Sequence, residues 1–293
     1  GAIDLGTVGA GTASATKSER AMSHLDPHHV RHVARGTQPS KEIIFIRHGQ
    51  SIANAESDIA DVDHANPKYF DARMTTLGQN QASSWAGVAP TWGIEEVYVS
   101  PLTRALETAC RIFEHCECEM HVTPYAREGW IHCFENRGRL LSELERGAAS
   151  ADIVKRHPIL SQQRWPALAD LPGSHKLRDL KHLVRPVPQR WDADEEESRA
   201  KDEDGLFARW REGIEDLKHQ LLQSTATRIG VVCHWGIIWE LTGVDCENCS
   251  LVPTVVQGST GLDWSCTVCE PIMEHPPLGV RAYDHVQADE ASA

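Results

Sequence analysis

The sequence predicts an α/β fold, specifically a three-layer α/β/α sandwich built on a mostly parallel sheet. Short apolar runs rich in β-branched residues alternate along the chain with segments of helical hydrophobic spacing. Such alternation is typical of a sheet with helices on both faces. The chain has 293 residues, 41% of them hydrophobic, which is enough to bury the core of one catalytic-size domain.

The first half of the chain is a regular succession of predicted strands and helices. A strand at 42–46 (EIIFI) leads through a glycine into a helix-compatible stretch. Apolar spacing and capping threonines predict a helix over 75–89. A second strand at 95–100 precedes a helix over 101–115 that begins with proline, and a third strand spans 119–124.

The second half begins with an irregular segment and then becomes regular again. Prolines, scattered tryptophans and the acidic run DADEEES predict that 130–205 is an insertion of short helices and loops. We expect no second core there, and a role as a lid over the strand ends. An amphipathic helix over 205–224 and a buried strand over 228–233 follow, and two runs at 250–257 and 262–269 predict a hairpin.

Both ends of the chain are expected to lie outside the folded domain. Residues 1–40 are rich in Gly, Ala, Ser, Thr and His without apolar periodicity, which predicts a flexible leader. A remnant of a targeting segment is an open alternative for this leader. A flexible tail is expected over 273–293, so that the catalytic domain spans 41–272.

Charge and cysteine content narrow the function classes. The 29 Lys and Arg residues against 42 Asp and Glu give a formal net charge of -13, which disfavours nucleic acid and anionic membranes as partners. No apolar run approaches the roughly 18 residues of a transmembrane helix. Nine cysteines, several inside apolar runs, suit a reducing compartment. We therefore expect a cytoplasmic protein that holds an anionic ligand with a local cluster of cations.

Arginine, histidine, serine and glutamate side chains follow four of the predicted strands. Carboxyl ends of strands and the loops after them converge at one edge of an open α/β sheet, so these side chains are expected to share a site. Arginine binds phosphate oxygens with a fork of donors, neutral imidazole attacks phosphorus, and a carboxylic acid protonates a departing alkoxide. The pattern indicates phosphoryl chemistry at Arg47, His48, Ser100, Arg104, Arg127, Glu128 and His234.

Five features in register resemble the histidine phosphatase superfamily, also called the phosphoglycerate mutase-like family. FIRHGQSIAN resembles its R-H-G signature, and MTTLGQNQA and SPLTRALETA are similar to two further family motifs. A glutamate follows the third strand, and VVCHWG lies near the end. The resemblance spans about residues 42–257 and implies a phosphoglycerate mutase-like fold.

The resemblance also implies a role for each matching residue. His48 matches the histidine that becomes phosphorylated, and Arg47 and Arg104 match the arginines that clamp the phosphate. His234 matches the second pocket histidine, and Glu128 matches the proton donor. Neither a metal nor another cofactor is implied, because arginines and histidines supply the charge that magnesium provides elsewhere.

Other positions carry open alternatives. Asn54 matches a phosphate-contacting asparagine, but an asparagine at a helix start can instead satisfy backbone donors. Trp235 stands where the family usually has a small residue, so its ring either narrows the pocket or packs in the core. Glu135 lies close enough in sequence to compete with Glu128 as the acid. Further candidates for binding the substrate or a second anionic group are Ser51, Arg137 and Arg139.

Two C-x-x-C pairs allow a zinc site as an alternative to buried thiols. The residues Cys246, Cys249, Cys266 and Cys269 have a spacing that elsewhere indicates structural zinc. Pairing of the predicted hairpin would bring Cys249 near Cys269. Ordinary buried cysteines are the favoured interpretation.

Three functions fit the sequence. The first is a phosphatase that acts on a small phosphorylated metabolite through a phosphohistidine on His48. The second is a phosphoglycerate mutase, which would need extra basic residues around a carboxylate-bearing substrate. The third is a protein that binds a phosphorylated ligand without turnover, for which an acid such as Glu128 would have no purpose. Substrate identity and oligomeric state are not predicted.

Overall fold

The computed structural model describes residues 40–129, 133–180, 203–259 and 263–274. The predicted leader, apart from its last residue, lies outside these ranges. So do the acidic run DADEEES and residues 275–293 of the predicted tail.

Within these ranges the chain forms seven strands and seven α-helices, joined by loops and 3-10 turns. The strands are β1 (Ser40–Arg47), β2 (Glu96–Val99), β3 (Glu119–Val122), β4 (Leu177–Arg178), β5 (Arg228–Cys233), β6 (Leu251–Gln257) and β7 (Ser265–Val268). The helices are α1 (Ile52–Ser57), α2 (Thr76–Ala86), α3 (Thr103–Ile112), α4 (Leu141–Arg146), α5 (Ala151–Arg156), α6 (Glu203–Gln223) and α7 (Trp235–Thr242).

All seven strands belong to one sheet, in the order β4-β3-β2-β5-β1-β6-β7. The first five strands in this order pair in parallel, and β6 and β7 add an antiparallel edge. The predicted mostly parallel sheet and the predicted hairpin at its end are both confirmed. Strands β2, β5 and β1 are neighbours, so their carboxyl ends lie side by side.

Two apolar cores cover the two faces of this sheet. On one face Ile44 and Ile46 of β1 pack in a cluster with helices α2 and α3, whose Trp85 and Leu106 are buried. On the other face Ile43, Phe45 and their neighbours pack against α6 and α7. A strand buried on both faces needs apolar residues at successive positions, which explains the unbroken run IIFI. The three-layer α/β/α prediction is confirmed.

The described part of the insertion, 133–180, contains α4, α5, several 3-10 turns and the two-residue edge strand β4. It also has an apolar cluster of its own, separate from the two main cores, in which Trp165 and Phe134 pack with Phe70 and Tyr69. The expectation that this segment lacks a core is therefore wrong. The reason is that the loop before α2 contributes Tyr69, Phe70 and Ala72 to the cluster, and loop pairing of this kind has no periodic signature.

Two further expectations concern the state of the cysteines and the presence of a membrane-spanning helix. All nine cysteines fall in the described ranges, and each is a free thiol. None of the helices described here is long and apolar enough to cross a membrane.

Candidate active site

The carboxyl ends of the three central strands place two histidines side by side. Arg47 ends β1 and is followed by His48, while His234 follows β5 and Ser100 follows β2. The His48 and His234 rings have centroids 5.0 Å apart. His234 shares a 2.7 Å hydrogen bond between its Nε2 and the Ser100 hydroxyl. The sheet thus brings together side chains that are far apart in sequence.

Hydrogen bonds fix the protonation of the His48 ring. Nδ1 lies 2.8 Å from the carbonyl oxygen of Gly49, which can only accept, so Nδ1 carries the proton. Nε2 accepts a 3.1 Å hydrogen bond from Nε of Arg104, which requires that Nε2 is unprotonated. Burial lowers the pKa of His48 well below its ordinary value, and the charges of Arg104 and Arg47 lower it further. His48 is therefore a neutral imidazole with an unprotonated Nε2.

Two glycines allow the loop after β1 to turn tightly against helix α2. A Cβ on Gly49 would lie 2.5 Å from the carbonyl oxygen of Gly78, and a Cβ on Gly78 would lie 2.2 Å from that of Gln50. The Gln50 carbonyl also accepts a hydrogen bond from the backbone of Thr75, just before α2. Glycine is required at both positions because backbone meets backbone there.

Arg104 is buried one residue into α3 and is held at three points. Besides its bond to His48, Nη1 donates to the carbonyl oxygen of Glu135 at 2.5 Å and Nη2 donates to Oδ1 of Asn136 at 2.7 Å. Asn136 therefore aims the guanidinium, a role that sequence reasoning missed. Its segment, FENRGR, carries no motif that identifies it, so only the three-dimensional contact reveals the residue.

Arg47 and His234 each have a buried side-chain nitrogen without a hydrogen-bond partner within the described residues. These nitrogens are Nε of Arg47 and Nδ1 of His234. Arg47 is otherwise held by its Nη1, which donates to the carbonyl oxygen of Cys246 at 2.6 Å. Burial lowers the pKa of His234 well below its usual value, with Arg104 and His48 adding to the effect. A neutral His234 that accepts from Ser100 at Nε2 can donate from Nδ1, so both buried atoms can serve an anion.

Glu128 lies on the third strand's exit loop and caps the start of helix α7. Its two carboxyl oxygens accept from the backbone N–H groups of Gly129, at 2.8 Å, and Gly236, at 3.0 Å. Burial raises the pKa of Glu128, although those two hydrogen bonds and the charges of Arg104 and Arg47 oppose the rise. A raised pKa favours the protonated acid that a leaving oxygen requires. The rival acid is directed elsewhere, since the carboxylate of Glu135 faces His64 at 3.3 Å.

Asn54 and Ser51 form a capping box at the start of α1. The Ser51 side chain accepts from the Asn54 backbone, and the Asn54 side chain accepts from the Ser51 backbone. The helix-start role considered for Asn54 is thus present in the structure. The phosphate roles predicted for Asn54 and Ser51 stay predictions. Ser51 ends the loop that follows His48, and Asn54 lies in the first turn of α1.

Trp235 lies beside a surface tryptophan and does not pack in the core. Its ring stacks on Trp239 with centroids 5.7 Å apart, and its Nε1 donates to Asp245 at 2.8 Å. Trp239 is about half exposed, so the pair lies at the surface beside the site and is not core packing. A role at the pocket rim stays a prediction.

The candidate role of Arg139 in binding a second anion is wrong. Arg139 is fully buried in an ion pair with Asp71, at 2.9 Å, and also donates to the Thr103 hydroxyl. Asp71 in turn accepts from the backbone N–H of Thr103 at the start of α3. This network holds the helix that carries Arg104. Arg137 instead lies over the Phe134 ring, 3.9 Å from its centroid.

The four cysteines of the C-x-x-C pairs do not converge as a zinc site requires. The hairpin register places Met273 opposite Leu251, and the backbone of Cys269 bonds to Pro253. Cys249 is therefore not brought beside Cys269, and the predicted proximity is wrong. Cys249 packs in the α2/α3 core while Cys246 packs in the α6/α7 core. Across the described ranges, no group of three or more His, Cys, Asp or Glu side chains could hold a metal ion.

Comparison with known proteins finds partial matches to one family. The model of the histidine phosphatase superfamily (branch 1) matches residues 43–139. The "Probable phosphoglycerate mutase GpmB" of Enterobacter sp. (strain 638) is 32% identical over 96 residues, which cover 33% of this chain and 41% of the relative. "Phosphoglycerate mutase-like protein 1" of Arabidopsis thaliana is 36% identical over 77 residues, which cover 25% of this chain and 27% of the relative. The chain thus matches less than half the length of either relative.

Solved structures that match this chain cover more of it at lower identity. The alpha-ribazole phosphatase from Shigella flexneri is 17% identical with a TM-score of 0.45, covering 82% of this chain and 99% of its own. The phosphoglycerate mutase from Bacillus anthracis str. Sterne is 16% identical with a TM-score of 0.42, covering 80% and 94%.

Proposed function

We propose that the chain, whose residues 43–139 match the model of the histidine phosphatase superfamily (branch 1), is a phosphomonoesterase. It would hydrolyse a small phosphorylated metabolite through a phosphohistidine on His48. The observation that carries this proposal is the state of the His48 ring. Its proton is held at Nδ1 by Gly49, and its Nε2 lone pair lies in a buried pocket beside Arg104. A buried neutral imidazole among cations has the properties of a nucleophile toward a phosphate dianion.

In the first step Nε2 of His48 attacks phosphorus in line with the ester oxygen. The N–P bond forms as the P–O ester bond breaks, and the departing oxygen takes the proton of the Glu128 carboxyl. The guanidinium of Arg104 leaves Nε2 and binds the oxygens of the transferred group. This donor arrangement favours the phosphoryl group at the moment of transfer, since its charge is then spread over the equatorial oxygens.

In the second step water replaces His48 on phosphorus. Glu128, now a carboxylate, takes a proton from the water as its oxygen attacks, and the N–P bond breaks to release phosphate and neutral His48. The raised pKa of Glu128 suits both halves of this cycle, because the group must give up a proton and then recover it. Burial, the first cause of that raised pKa, also keeps the group away from bulk water.

The pocket balances the charge of the phosphoryl group with protein groups. Arg47 and Arg104 supply two permanent positive charges, and the buried Nε of Arg47 and Nδ1 of His234 supply donors. Ser51 and Asn54 lie at the start of α1, beside the same loop, and are the further proposed ligands. We assign no metal to this chemistry, since the arginines carry the charge that a magnesium ion would.

The insertion around residues 130–205 is the proposed lid and the source of substrate specificity. It already contacts the catalytic groups in one place, because Glu135 and Asn136 hold Arg104. Trp235 and its stacked partner Trp239 are proposed to form part of the pocket rim, where they would meet the leaving group. The sheet and both cores hold the catalytic groups in place. The insertion and the two tryptophans are therefore the elements proposed to select the leaving group.

A phosphate-release screen over metabolite phosphomonoesters tests the proposal. Wild-type protein is expected to release inorganic phosphate from at least one of them, and His48→Ala is expected to abolish this release. Interconversion of phosphoglycerates without net release would make the chain a mutase, the activity for which its two curated relatives are named. If the protein binds phosphate esters but neither releases nor transfers phosphate, the function that fits is binding of a phosphorylated ligand without turnover.

A further inference from the structure

The segment CENCS, residues 246–250, contacts the catalytic strand end at several points, and we call it the 246–250 loop. The Cys246 carbonyl oxygen accepts from the Arg47 side chain at 2.6 Å. The Ser250 carbonyl oxygen accepts from the Arg47 backbone, and the backbone N–H of Cys249 donates to the carbonyl oxygen of His48, each at 3.1 Å. A motif whose spacing allowed a zinc site therefore holds the arginine and histidine of the proposed pocket.

The 246–250 loop is itself held by a contact with the buried core. Cys249 has a φ of 64°, in the left-handed region that non-glycine residues rarely adopt. Its carbonyl oxygen accepts a 3.1 Å hydrogen bond from Nε1 of Trp85, a fully buried residue of α2. Because this bond ties the loop to the core, side chains on the loop project from a defined backbone.

Asn248 is the side chain on this loop that contacts the pocket. Its Nδ2 donates to the carbonyl oxygen of His48 at 3.1 Å and to Oδ1 of Asn54 at 3.3 Å. Nδ2 carries two hydrogens, so it can make both bonds at once. One amide group therefore links the backbone of the nucleophile to a proposed phosphate ligand.

The bond from Asn248 completes a set of donors around Oδ1 of Asn54. The same oxygen accepts from the Ser51 backbone at 3.1 Å and from the Ser51 hydroxyl at 2.9 Å. Three donors around one amide oxygen fix which end of the amide is oxygen, since a rotated amide would turn its own N–H groups toward them. The Nδ2 of Asn54 must then face away from Ser51 and Asn248, where it can donate to a ligand.

We propose that Asn248 is a positioning residue that orients the Asn54 amide so that its N–H groups face the phosphoryl group. The proposal rests on the proposed function for the phosphoryl ligand itself. It assigns the 246–250 loop a purpose that the cysteine spacing did not indicate. Asn248 does not touch the substrate, so its effect must pass through Asn54 and His48.

The test compares Asn248→Ala, Asn54→Ala and the double variant, using inorganic phosphate affinity by titration calorimetry and kcat/KM for a phosphomonoester. Loss of one hydrogen bond to a charged oxygen corresponds to about a tenfold to hundredfold change in affinity or rate. We expect each single variant to lose about that much in both measurements. Because the two residues act through one amide, the double variant is expected to lose much less than the product of the single losses.

An isosteric change keeps the test valid if removal of the side chain disturbs folding. Asn248→Asp has the same shape but offers only acceptors, which would turn the Asn54 amide around, so its loss should exceed that of Asn248→Ala. Glu247→Ala is the matched control, because Glu247 lies on the same loop with an exposed side chain. We expect Glu247→Ala to match wild type in both measurements.

The outcomes separate this inference from the proposed function. Additive losses in the double variant, or a wild-type affinity in Asn248→Ala, would overturn the positioning role. A wild type that binds phosphate but turns over no ester would remove the phosphatase proposal. The phosphate affinities of the single and double variants would still decide the role of Asn248. A wild type that binds no phosphate would overturn both.

Discussion

Replacing Glu128 by glutamine separates the two chemical steps of the proposed reaction. Glutamine keeps the size of the side chain and one carbonyl oxygen, but it can neither donate an acid proton nor accept one from water. General acid–base catalysis contributes about 10²–10⁴-fold in rate. For an alkyl phosphate, whose leaving alkoxide needs a proton, we expect kcat/KM of Glu128→Gln to fall by that factor.

An aryl phosphate such as p-nitrophenyl phosphate gives a different result because its leaving group departs as a stable anion. Its phosphorylation step does not need the acid, so kcat/KM should fall by less than about tenfold. Hydrolysis of the phosphohistidine still needs the base, so kcat should fall by about 10²-fold or more. Stopped-flow measurement should therefore show a burst of one nitrophenolate per enzyme, followed by slow turnover.

The structure also gives the stability cost of this substitution and its control. The Glu128 carboxyl accepts from two backbone N–H groups, and glutamine can accept only one of them without rotating its own N–H toward the other. A buried N–H left without an acceptor costs about 1–3 kcal/mol of the free energy of unfolding. Glu135→Gln is the matched control, since that carboxylate faces His64. Equal losses on both substrates without a burst, or a burst in Glu135→Gln, would refute the assignment of the acid.

Substitutions of Glu107 and Gly78 test how the helices beside the pocket contribute to the free energy of unfolding. Burial raises the pKa of Glu107, whose carboxyl accepts from the Met74 backbone, to about 7 from an ordinary value near 4.5. Stability from this group is full below pH 4.5 and is lost as the pH rises through 7, so wild type should lose about 2–3 kcal/mol of unfolding free energy relative to Glu107→Gln between pH 4.5 and 8. Urea unfolding of both proteins at the two pH values checks this, and a pH-independent difference would contradict it. Gly78→Ala places a Cβ 2.2 Å from a backbone oxygen, so unfolding free energy should fall by about 1–3 kcal/mol. By contrast, Gly213→Ala in α6, with nothing nearer than 3.9 Å, should be neutral or stabilising, and equal effects in the two variants would contradict the packing argument.

Much of the fold follows from local patterns in the sequence. The run IIFI is apolar at every position because β1 is buried on both faces, and the helix from 205 has apolar spacing because only one of its faces meets the sheet. The hairpin was also predicted, but the register that would bring Cys249 near Cys269 was wrong. Turn length and long-range packing set that register, so Cys249 lies far from its expected neighbour.

The candidate site was predicted to the extent that strand ends determine it. Arg47, His48 and His234 follow buried strands, and the sheet order makes those strands neighbours. Asn136, Asn248 and the Asp71–Arg139 pair could not be found in this way. They lie on loops, where position depends on contacts between distant segments, and no repeat or spacing marks them. The direction of the Trp235 ring likewise depends on Trp239 and Asp245, which the sequence alone does not orient toward it.

Direct detection of a phosphohistidine on His48 tests the central claim most directly. The protein is mixed rapidly with a phosphomonoester that it hydrolyses, quenched without acid, digested and analysed by mass spectrometry. We predict phosphate on the peptide that contains His48, absent from His48→Ala and accumulated in Glu128→Gln with an aryl phosphate. Turnover of the ester without label on His48, or label on His234 instead, would contradict the account.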